Sequence, residues 1–145
     1  MRKIILLLLV SSIIYAAFFT EKDRLDREVK RLCAIDGGIK VYETVRLPAE
    51  RFEKDGSIYI PARQTAKLED EYYYDYLKNY ITRGNPEMWR SHAKVYRRSD
   101  GKLLGEVVSY ARRGGDVPGP WHESSFRCPQ NKDSGYLMKQ IFIKD

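Results

Sequence analysis

Residues 89–112 read WRSHAKVYRRSDGKLLGEVVSYAR, and this stretch decides the fold. Ser99-Asp100-Gly101 separates two runs in which apolar and polar residues alternate, which is typical of half-buried strands joined by a tight turn. The length of the turn sets which residues face each other, because a shift of one residue moves every side chain to the other face of the sheet.

The side-chain pattern favours a three-residue turn over a two-residue turn. With two residues, Asp100-Gly101, Val95 would face Glu106 and no continuous apolar face would form. A three-residue turn places Gly101 where a left-handed backbone is required. The pairs that it predicts are Lys94 with Glu106, Ala93 with Val107, Ser91 with Ser109, His92 with Val108 and Arg97 with Leu103. The apolar face that it predicts carries Trp89, Ala93, Val95, Leu103, Val107 and Ala111.

Further strands are predicted on both sides of this hairpin. Residues 72–81 contain five tyrosines and fit a strand or a helix, with the tyrosine content favouring the strand. Residues 39–45, 57–60 and 135–144 also have strand patterns. With a charged amphipathic helix over residues 20–34, the expected fold is α+β with an antiparallel sheet of about five or six strands.

The N-terminus has the composition of an export signal or a membrane anchor. Arg2 and Lys3 precede an apolar run of 16 residues, Ile4 to Phe19, interrupted only by two serines. This run is long for the core of a cleaved signal and just short of a typical spanning helix. If it spans, the cationic residues before it place the following domain outside the cytoplasm.

Both interpretations of the leader stay open at this point. Cleavage after Ala16 or Ala17 would place Ile14 or Tyr15 where signal peptidase prefers small residues. The chain therefore divides into residues 1–20, a signal peptide or single transmembrane anchor, and residues 21–145, a single periplasmic α+β domain.

The charge pattern argues against a nucleic-acid partner. The formal net charge is +6, and Arg2 and Lys3 supply two of those charges. Acidic and basic side chains alternate in residues 21–28, as on a solvated helix face, whereas nucleic-acid binding needs a clustered basic stripe. The expected partners are the membrane, through the N-terminal segment, and a protein whose identity the sequence leaves open.

Two cysteines, Cys33 and Cys128, are the only ones in the chain. An even pair in an exported protein predicts a disulfide. The bond would tie the end of the amphipathic helix to the segment before the last predicted strand. The sequence contains no C-x-x-C motif that would favour a metal or redox site.

Three groups of residues are candidates for chemistry. His122, Glu123 and Asp116 flank a loop rich in glycine and proline and would suit an acid–base or metal site, although an ordinary loop explains the same composition. Arg112 and Arg113 precede two glycines that could form an anion-binding nest, or simply a flexible strand end. The tyrosines of residues 72–80 would either stack on sugars or peptides or pack the sheet on a helix.

Three stretches together resemble a known family. They are residues 33–45, CAIDGGIKVYETV, residues 96–106, YRRSDGKLLGE, and residues 114–129, GGDVPGPWHESSFRCP. They are similar to a family of small uncharacterised proteins of Gram-negative bacteria that are exported or anchored in the inner membrane. The resemblance implies a periplasmic setting and carries over no catalytic residue.

These observations predict a binding or structural protein of the cell envelope, without a cofactor, rather than an enzyme. It would lie at the inner membrane facing the periplasm, or in the periplasm if the leader is removed. One alternative is an inhibitor or immunity-type protein that binds a single partner. Another is a small hydrolase that uses His122, Glu123 and Asp116.

The mature N-terminus distinguishes the two interpretations of the leader. The helical pattern runs on from the apolar segment into residues 20–34, which favours the anchor, so intact-mass spectrometry of the membrane-extracted protein should show the leader in place. A chain beginning at Ala17 or Phe18 would instead identify a cleaved signal and a soluble periplasmic domain.

Overall fold

The computed structural model describes residues 2–116 and 119–145, and for residues 17–20 it describes the backbone alone. The fold is α+β, as predicted, with an N-terminal helix followed by an antiparallel sheet of five strands. In chain order the elements are α1 (Arg2–Asp36), β1 (Gly38–Val41), β2 (Val45–Leu47), a 3-10 turn (Ala49–Arg51), β3 (Tyr72–Thr82), β4 (Glu87–Arg97), β5 (Leu103–Arg113), β6 (Ser125–Cys128), α2 (Ser134–Ile141) and β7 (Phe142–Lys144).

The sheet is built around the β4–β5 hairpin. Its strand order is β1-β5-β4-β3. Strand β6 pairs with the same edge of β5 as β1 does, further along that edge. All neighbouring strands of this sheet are antiparallel. The short strands β2 and β7 form a separate parallel pair. The tyrosine-rich segment is β3, which confirms the strand interpretation over the helical one.

The predicted hairpin register is confirmed along most of its length. Lys94 faces Glu106 and Ser91 faces Ser109, and Gly101 has the left-handed φ of 68° that the turn requires. Near the turn the prediction is wrong. A bulge after Val95 brings Tyr96, not Arg97, opposite Leu103.

The bulge changes which leucine reaches the core. Val95 pairs with Gly105 and Tyr96 with Leu103, so Leu104 is the additional residue of β5. Leu104 is fully buried, whereas the sequence pattern predicted Leu103 on the apolar face. Two backbone amides of the chain after β1, those of Tyr42 and Glu43, both donate to the carbonyl of Leu104. This contact divides the predicted strand 39–45 into β1 and β2.

The C-terminal segment corrects the sequence prediction most strongly. Most of the strand predicted over residues 135–144 is the helix α2, followed by the three-residue strand β7. Asp133 caps α2 by accepting a hydrogen bond from the backbone N–H of Tyr136 at 2.9 Å. Leu137, Met138 and Ile141 are buried, which is helical spacing. The predicted strand 57–60 is reduced to one bridge, between Ile58 and Phe52.

Helix α1 contains both predicted N-terminal segments. Its apolar part includes an 18-residue window of mean hydropathy 2.2, none of which is buried, so it is long and apolar enough to cross a membrane. A signal sequence has the same properties. The side chains that follow the possible cleavage position after Ala16 lie outside the described part of the chain, as does the side chain of Ala17 itself. Val117 and Pro118, in the predicted loop rich in glycine and proline, also lie outside it.

The charged part of α1 packs on the sheet and ends at Asp36, just before Gly37 and Gly38. Leu25, Val29 and Cys33 face the sheet and are buried. The backbone N–H of Gly37 donates to the carbonyl of Cys33, and a Cβ at Gly37 would lie 2.6 Å from that oxygen. Any other residue at this position would therefore clash with the last turn of the helix.

The two helices cover opposite faces of the sheet at opposite ends. We call the face that packs on α1 the anchor face; its buried residues include Met88, Val108 and Tyr110. The other face, here the groove face, contributes Val95 and Leu104 to a core that contains Leu137 and Ile141 of α2. Consequently each face has one covered half and one uncovered half.

The predicted disulfide is present. Cys33 on α1 and Cys128 at the end of β6 are bonded, with their Cα atoms 5.9 Å apart. The bond closes a segment with a sequence separation of 95 and fixes α1 to the outer edge of β5 through β6.

Removing the disulfide should destabilise the domain. We expect the Cys33→Ala, Cys128→Ala double variant to lose roughly 2–5 kcal/mol in free energy of unfolding, because the unfolded chain regains the entropy that the bond removes. Denaturant unfolding of the full chain in detergent micelles measures this. The reduced wild type is the control and should lose a similar amount; a double variant as stable as the oxidised protein would contradict the expectation.

Candidate functional site

The uncovered half of the groove face contains a cavity of about 320 Å³. It lies over the middle of β3, β4 and β5, and the N-terminal end of α2 and a residue of β6 close its sides. Its lining residues are Tyr74, Tyr76, Ser91, Ala93, Val107, Ser109, Arg127, Asp133 and Ser134. We call this site the groove.

The floor of the groove combines hydroxyl groups with a small apolar surface. Ser91 and Ser109 face each other across β4 and β5, and both are buried. Ala93 and Val107 form the next pair towards α2. The hydroxyl group of Tyr76 donates to Oγ of Ser91 at 3.2 Å. The floor therefore offers hydrogen-bonding groups and apolar contact side by side.

The rim carries charges of both signs. Arg127 lies on β6 opposite Ala111 and is exposed, and none of the described acidic side chains forms an ion pair with it. Asp133 lines the opposite side, but its carboxylate already accepts the hydrogen bond that caps α2. Arg127 is therefore the rim charge that remains available to a ligand.

A cluster of aromatic rings and cations continues from the groove along β3. The Nζ atom of Lys78 lies 4.5 Å from the ring centroid of Tyr80 and 4.0 Å from that of Trp89. The guanidinium of Arg83 lies 4.6 Å from the Tyr80 ring. Cations over aromatic faces are held in place by the ring quadrupole. Tyr76 and Tyr80 remain 48% and 37% exposed, which leaves aromatic surface for a ligand.

The three residues of the predicted hydrolase site have different partners. Asp116 accepts hydrogen bonds from Nζ of Lys22 at 2.6 Å and from the backbone N–H of Ser124 at 2.5 Å. Glu123 pairs with Arg113 on the surface, and His122 is exposed. Over residues 2–116 and 119–145, no group of three His, Cys, Asp or Glu side chains could hold a metal ion. The contacts of Asp116 and Glu123 attach a loop to the domain.

The predicted anion-binding nest is occupied from within the chain. Gly114 and Gly115 both have φ of 82°, but their N–H groups donate to the carbonyl of Ser124 and to Oδ1 of Asn85. Arg113 forms the exposed pair with Glu123. Arg112 is 2% exposed and is committed to the protein interior.

Arg112 makes a dense set of internal contacts. Its Nε and Nη2 atoms donate to the two carboxylate oxygens of Asp26 on α1, at 2.8 and 3.0 Å. Its Nη1 atom donates to the carbonyls of Gly114 and Ser124. A buried guanidinium needs this degree of pairing, so Arg112 joins α1 to the end of β5 and the chain entering β6.

His92 lies opposite Val108, as predicted, on the anchor face. Its Nε2 atom is 2.6 Å from Oε2 of Glu106, whose other carboxylate oxygen accepts from the hydroxyl of Tyr42. The Tyr42 hydrogen bond is the main cause that lowers the pKa of Glu106, followed by His92. This small network lies on the side of the sheet opposite the groove.

Sequence reasoning identified part of the groove. It paired Ser91 with Ser109 and considered the tyrosines of β3 as a stacking surface. It did not single out Arg127, since the alternation within the four residues of β6 is too short to show which face they occupy. The Asp-Ser-Gly sequence at residues 133–135 was the available signal for the helix N-terminus that closes the groove.

Comparison of the chain with protein-family models, with curated proteins and with solved structures finds no match.

Breaking the buried ion pair should strongly destabilise the domain. We expect Asp26→Asn to lower the free energy of unfolding by about 3 kcal/mol, because it leaves the Arg112 guanidinium buried without a carboxylate. Chemical denaturation measures the change. Glu28→Gln, on an exposed i,i+3 pair of the same helix, is the matched control and should change stability by less than about 0.5 kcal/mol. Equal effects of the two substitutions would contradict this role of Arg112.

Asp116 should make stability pH-dependent in acid. Lys22, and then the backbone N–H of Ser124, lower the pKa of Asp116 to about 2. Because the pKa is lower in the folded state than the unfolded value of about 3.9, the stabilisation is complete above about pH 4 and is lost as the pH falls towards 2. The stability difference between wild type and Asp116→Asn should therefore shrink in that range in denaturation experiments. If the stability difference between wild type and Asp116→Asn were constant with pH, the lowered pKa of Asp116 would not contribute to stability.

Proposed function

We propose that this protein is a membrane-anchored, non-enzymatic domain that faces the periplasm and binds a segment of a partner polypeptide in the groove. The observation that carries the proposal is the groove itself, an uncovered half of a sheet face on which exposed tyrosines, buried serine hydroxyls and an available arginine converge. The rest of that face packs against α2 and against the segments that hold Leu47, Ile58 and Ile60, so this half is the part left for another molecule.

The composition of the groove supports a polypeptide ligand. Tyrosine and arginine are enriched among the residues that dominate protein–protein binding energy. Tyrosine offers a large amphipathic contact area with few rotamers to order, and serine adds adaptable hydrogen bonding in antibody-type binding sites. The floor pairs apolar Ala93 and Val107 with two hydroxyls, which suits a chain that presents apolar side chains beside peptide groups. Among the described lining residues only Arg127 and Asp133 are charged, and Asp133 is engaged in capping α2.

The position of the tether supports the same proposal. The charged part of α1 packs on the anchor face, whereas the groove opens on the opposite face. The apolar part of α1 extends from the end of the sheet that holds Asp116 and Pro86, because a Cβ at Gly115 would lie within 3.2 Å of side-chain atoms of both Lys22 and Pro86. A membrane anchor in this place leaves the groove open to the periplasm.

Three observations support the proposed periplasmic compartment. The apolar helix preceded by Arg2 and Lys3 supports export with the domain on the outer side of the inner membrane. The Cys33–Cys128 bond suits the oxidising periplasm. The resemblance of residues 33–45, 96–106 and 114–129 to exported proteins of Gram-negative bacteria supports the same compartment.

Photo-crosslinking from the groove tests the proposal. A photoreactive phenylalanine analogue at position 76 in the native host should give an adduct with one defined polypeptide. The same analogue at position 59 should not, because Tyr59 is 78% exposed and lies outside the groove.

The purified partner then gives the quantitative test. Arg127→Glu should weaken its binding by at least about tenfold, because the reversed charge replaces an attractive contact at the rim by a repulsive one. Arg46→Glu, at an exposed arginine outside the groove, should leave the affinity unchanged. Adducts of equal yield from both positions, or equal affinity of both variants, would refute groove binding. If the partner is an enzyme that loses activity on binding, the domain is an inhibitor of the immunity type.

A further inference from the structure

Strand β3 has an edge that is only partly covered. It is the last strand of the sheet, with β4 on one side. On its other side, residues 61–63 pair with it only at Tyr74, whose N–H donates to the carbonyl of Pro61 at 3.0 Å and whose carbonyl accepts from the N–H of Arg63 at 2.8 Å. Beyond Tyr74, no described segment pairs with this edge.

The exposed backbone groups of β3 can be assigned from this contact. Because the N–H and C=O groups of alternate residues point to the same side of a strand, those of Tyr76, Lys78 and Tyr80 point away from β4, like those of Tyr74. Within the described part of the chain, none of their outward-facing groups has a backbone partner. The edge ends at a bulge between Tyr80 and Thr82. About five residues, or roughly 16 Å of strand, are therefore free to pair.

We propose that the partner segment binds as an additional antiparallel strand on residues 76–80 of β3, and that it is an extended acidic peptide. This inference rests on the proposed function, since the edge forms the open side of the groove through Tyr76. Main-chain pairing would supply affinity, and alternate side chains would supply specificity.

The positive charges next to this edge indicate that the partner peptide is acidic. Lys78 lies on the groove face over Tyr80 and Trp89, and Arg83 lies over Tyr80. Neither of these two cations has an ion-pair partner among the described carboxylates. Acidic side chains at every second position of an added strand would lie on the same face as Lys78.

The anchor-face side of this edge indicates which residues the peptide has between its acidic ones. Leu77 is 57% exposed and lies on the anchor face, beyond the part that α1 covers. Apolar side chains at the alternate positions of the added strand would cover it. The pattern that fits the edge is therefore acidic and apolar residues in alternation.

A second copy of this chain fits the same edge poorly. Pairing two β3 edges would bring the cations of both copies to one junction, and like charges across a strand pair are destabilising. Lysine on an edge strand commonly prevents this kind of self-association. An acidic partner removes the repulsion that a second copy would create.

A designed peptide tests the mode of binding with the full chain in micelles. The probe is an acetylated and amidated peptide, Glu-Val-Glu-Val-Glu-Val-Glu. It should shift the backbone amide resonances of Tyr76, Lys78 and Tyr80 and change Trp89 fluorescence. In the antiparallel arrangement the glutamates lie opposite these residues, so their N–H groups point to β3 and the valine N–H groups point away.

Two N-methylated forms of the peptide are matched controls, because they keep charge and composition. Methylation of the internal glutamate amides should weaken binding by at least about tenfold, since it removes strand hydrogen bonds, whereas methylation of the valine amides should change it by less than about twofold. The Lys78→Glu variant should also bind the unmethylated peptide at least about tenfold more weakly. The Lys54→Glu variant, at an exposed lysine away from the groove, should keep the affinity of the wild type.

Four results would overturn the inference. The first is equal binding of both methylated peptides; if that binding still requires Tyr76 and Arg127, groove binding stands and strand addition fails. The second is no binding of the acidic peptide at millimolar concentration. The third is shifts at the same amides that appear with protein concentration alone, which would identify a second copy. The fourth is the same shifts with phosphatidylglycerol vesicles and not with the peptide, which would identify a lipid surface.

Discussion

The guanidinium of Arg112 joins helix α1, 86 residues away in the sequence, to the end of β5 and to the chain entering β6. It lies near the end of β5, where it donates to the carboxylate of Asp26 on α1 and, through Nη1, to the carbonyls of Gly114 and Ser124. A buried cation is tolerated only when its donors are paired. The two hydrogen bonds from Arg112 to Asp26 therefore restrict both the position of α1 along the sheet and its rotation about the helix axis. Two helical turns further on, the disulfide at Cys33 repeats the attachment on the same side of the helix.

This double attachment determines which surface remains free. With α1 held on the anchor face and α2 on the other end of the groove face, the uncovered aromatic half lies opposite the tether. Ion pairs at Asp116 and Glu123 hold the loop between β5 and β6 against the same end of the domain. Those residues therefore serve the attachment of the domain to its helix, and the groove is left to the tyrosines, the serines and Arg127.

The β4–β5 hairpin shows most clearly how much of the strand pairing the sequence pattern predicts. The alternation of residues 89–112 favours the three-residue turn over the two-residue turn, and its register places Ser91 opposite Ser109 and His92 opposite Val108, as the structure does. The pattern fails at the bulge, because the choice between Leu103 and Leu104 depends on the core that α2 and the chain after β1 build above β5. It fails again at residues 135–144, where apolar residues at alternate positions coexist with helical spacing and the cap at Asp133 decides for the helix.

The sequence by itself determined the α+β class, the apolar leader, the disulfide pair and the hairpin register up to the bulge, and it favoured a strand for the tyrosine run. Each of these depends on residues close in sequence or on a pair with no competitor. Only the tertiary structure decided which candidates share a site. It separated Asp116 and Glu123 into different ion pairs, buried Arg112, and brought Tyr76, Ser109 and Arg127 to one groove. The physical reason is that the groove depends on where two helices end on opposite faces of one sheet, and that depends on long-range packing and on buried charges rather than on local pattern.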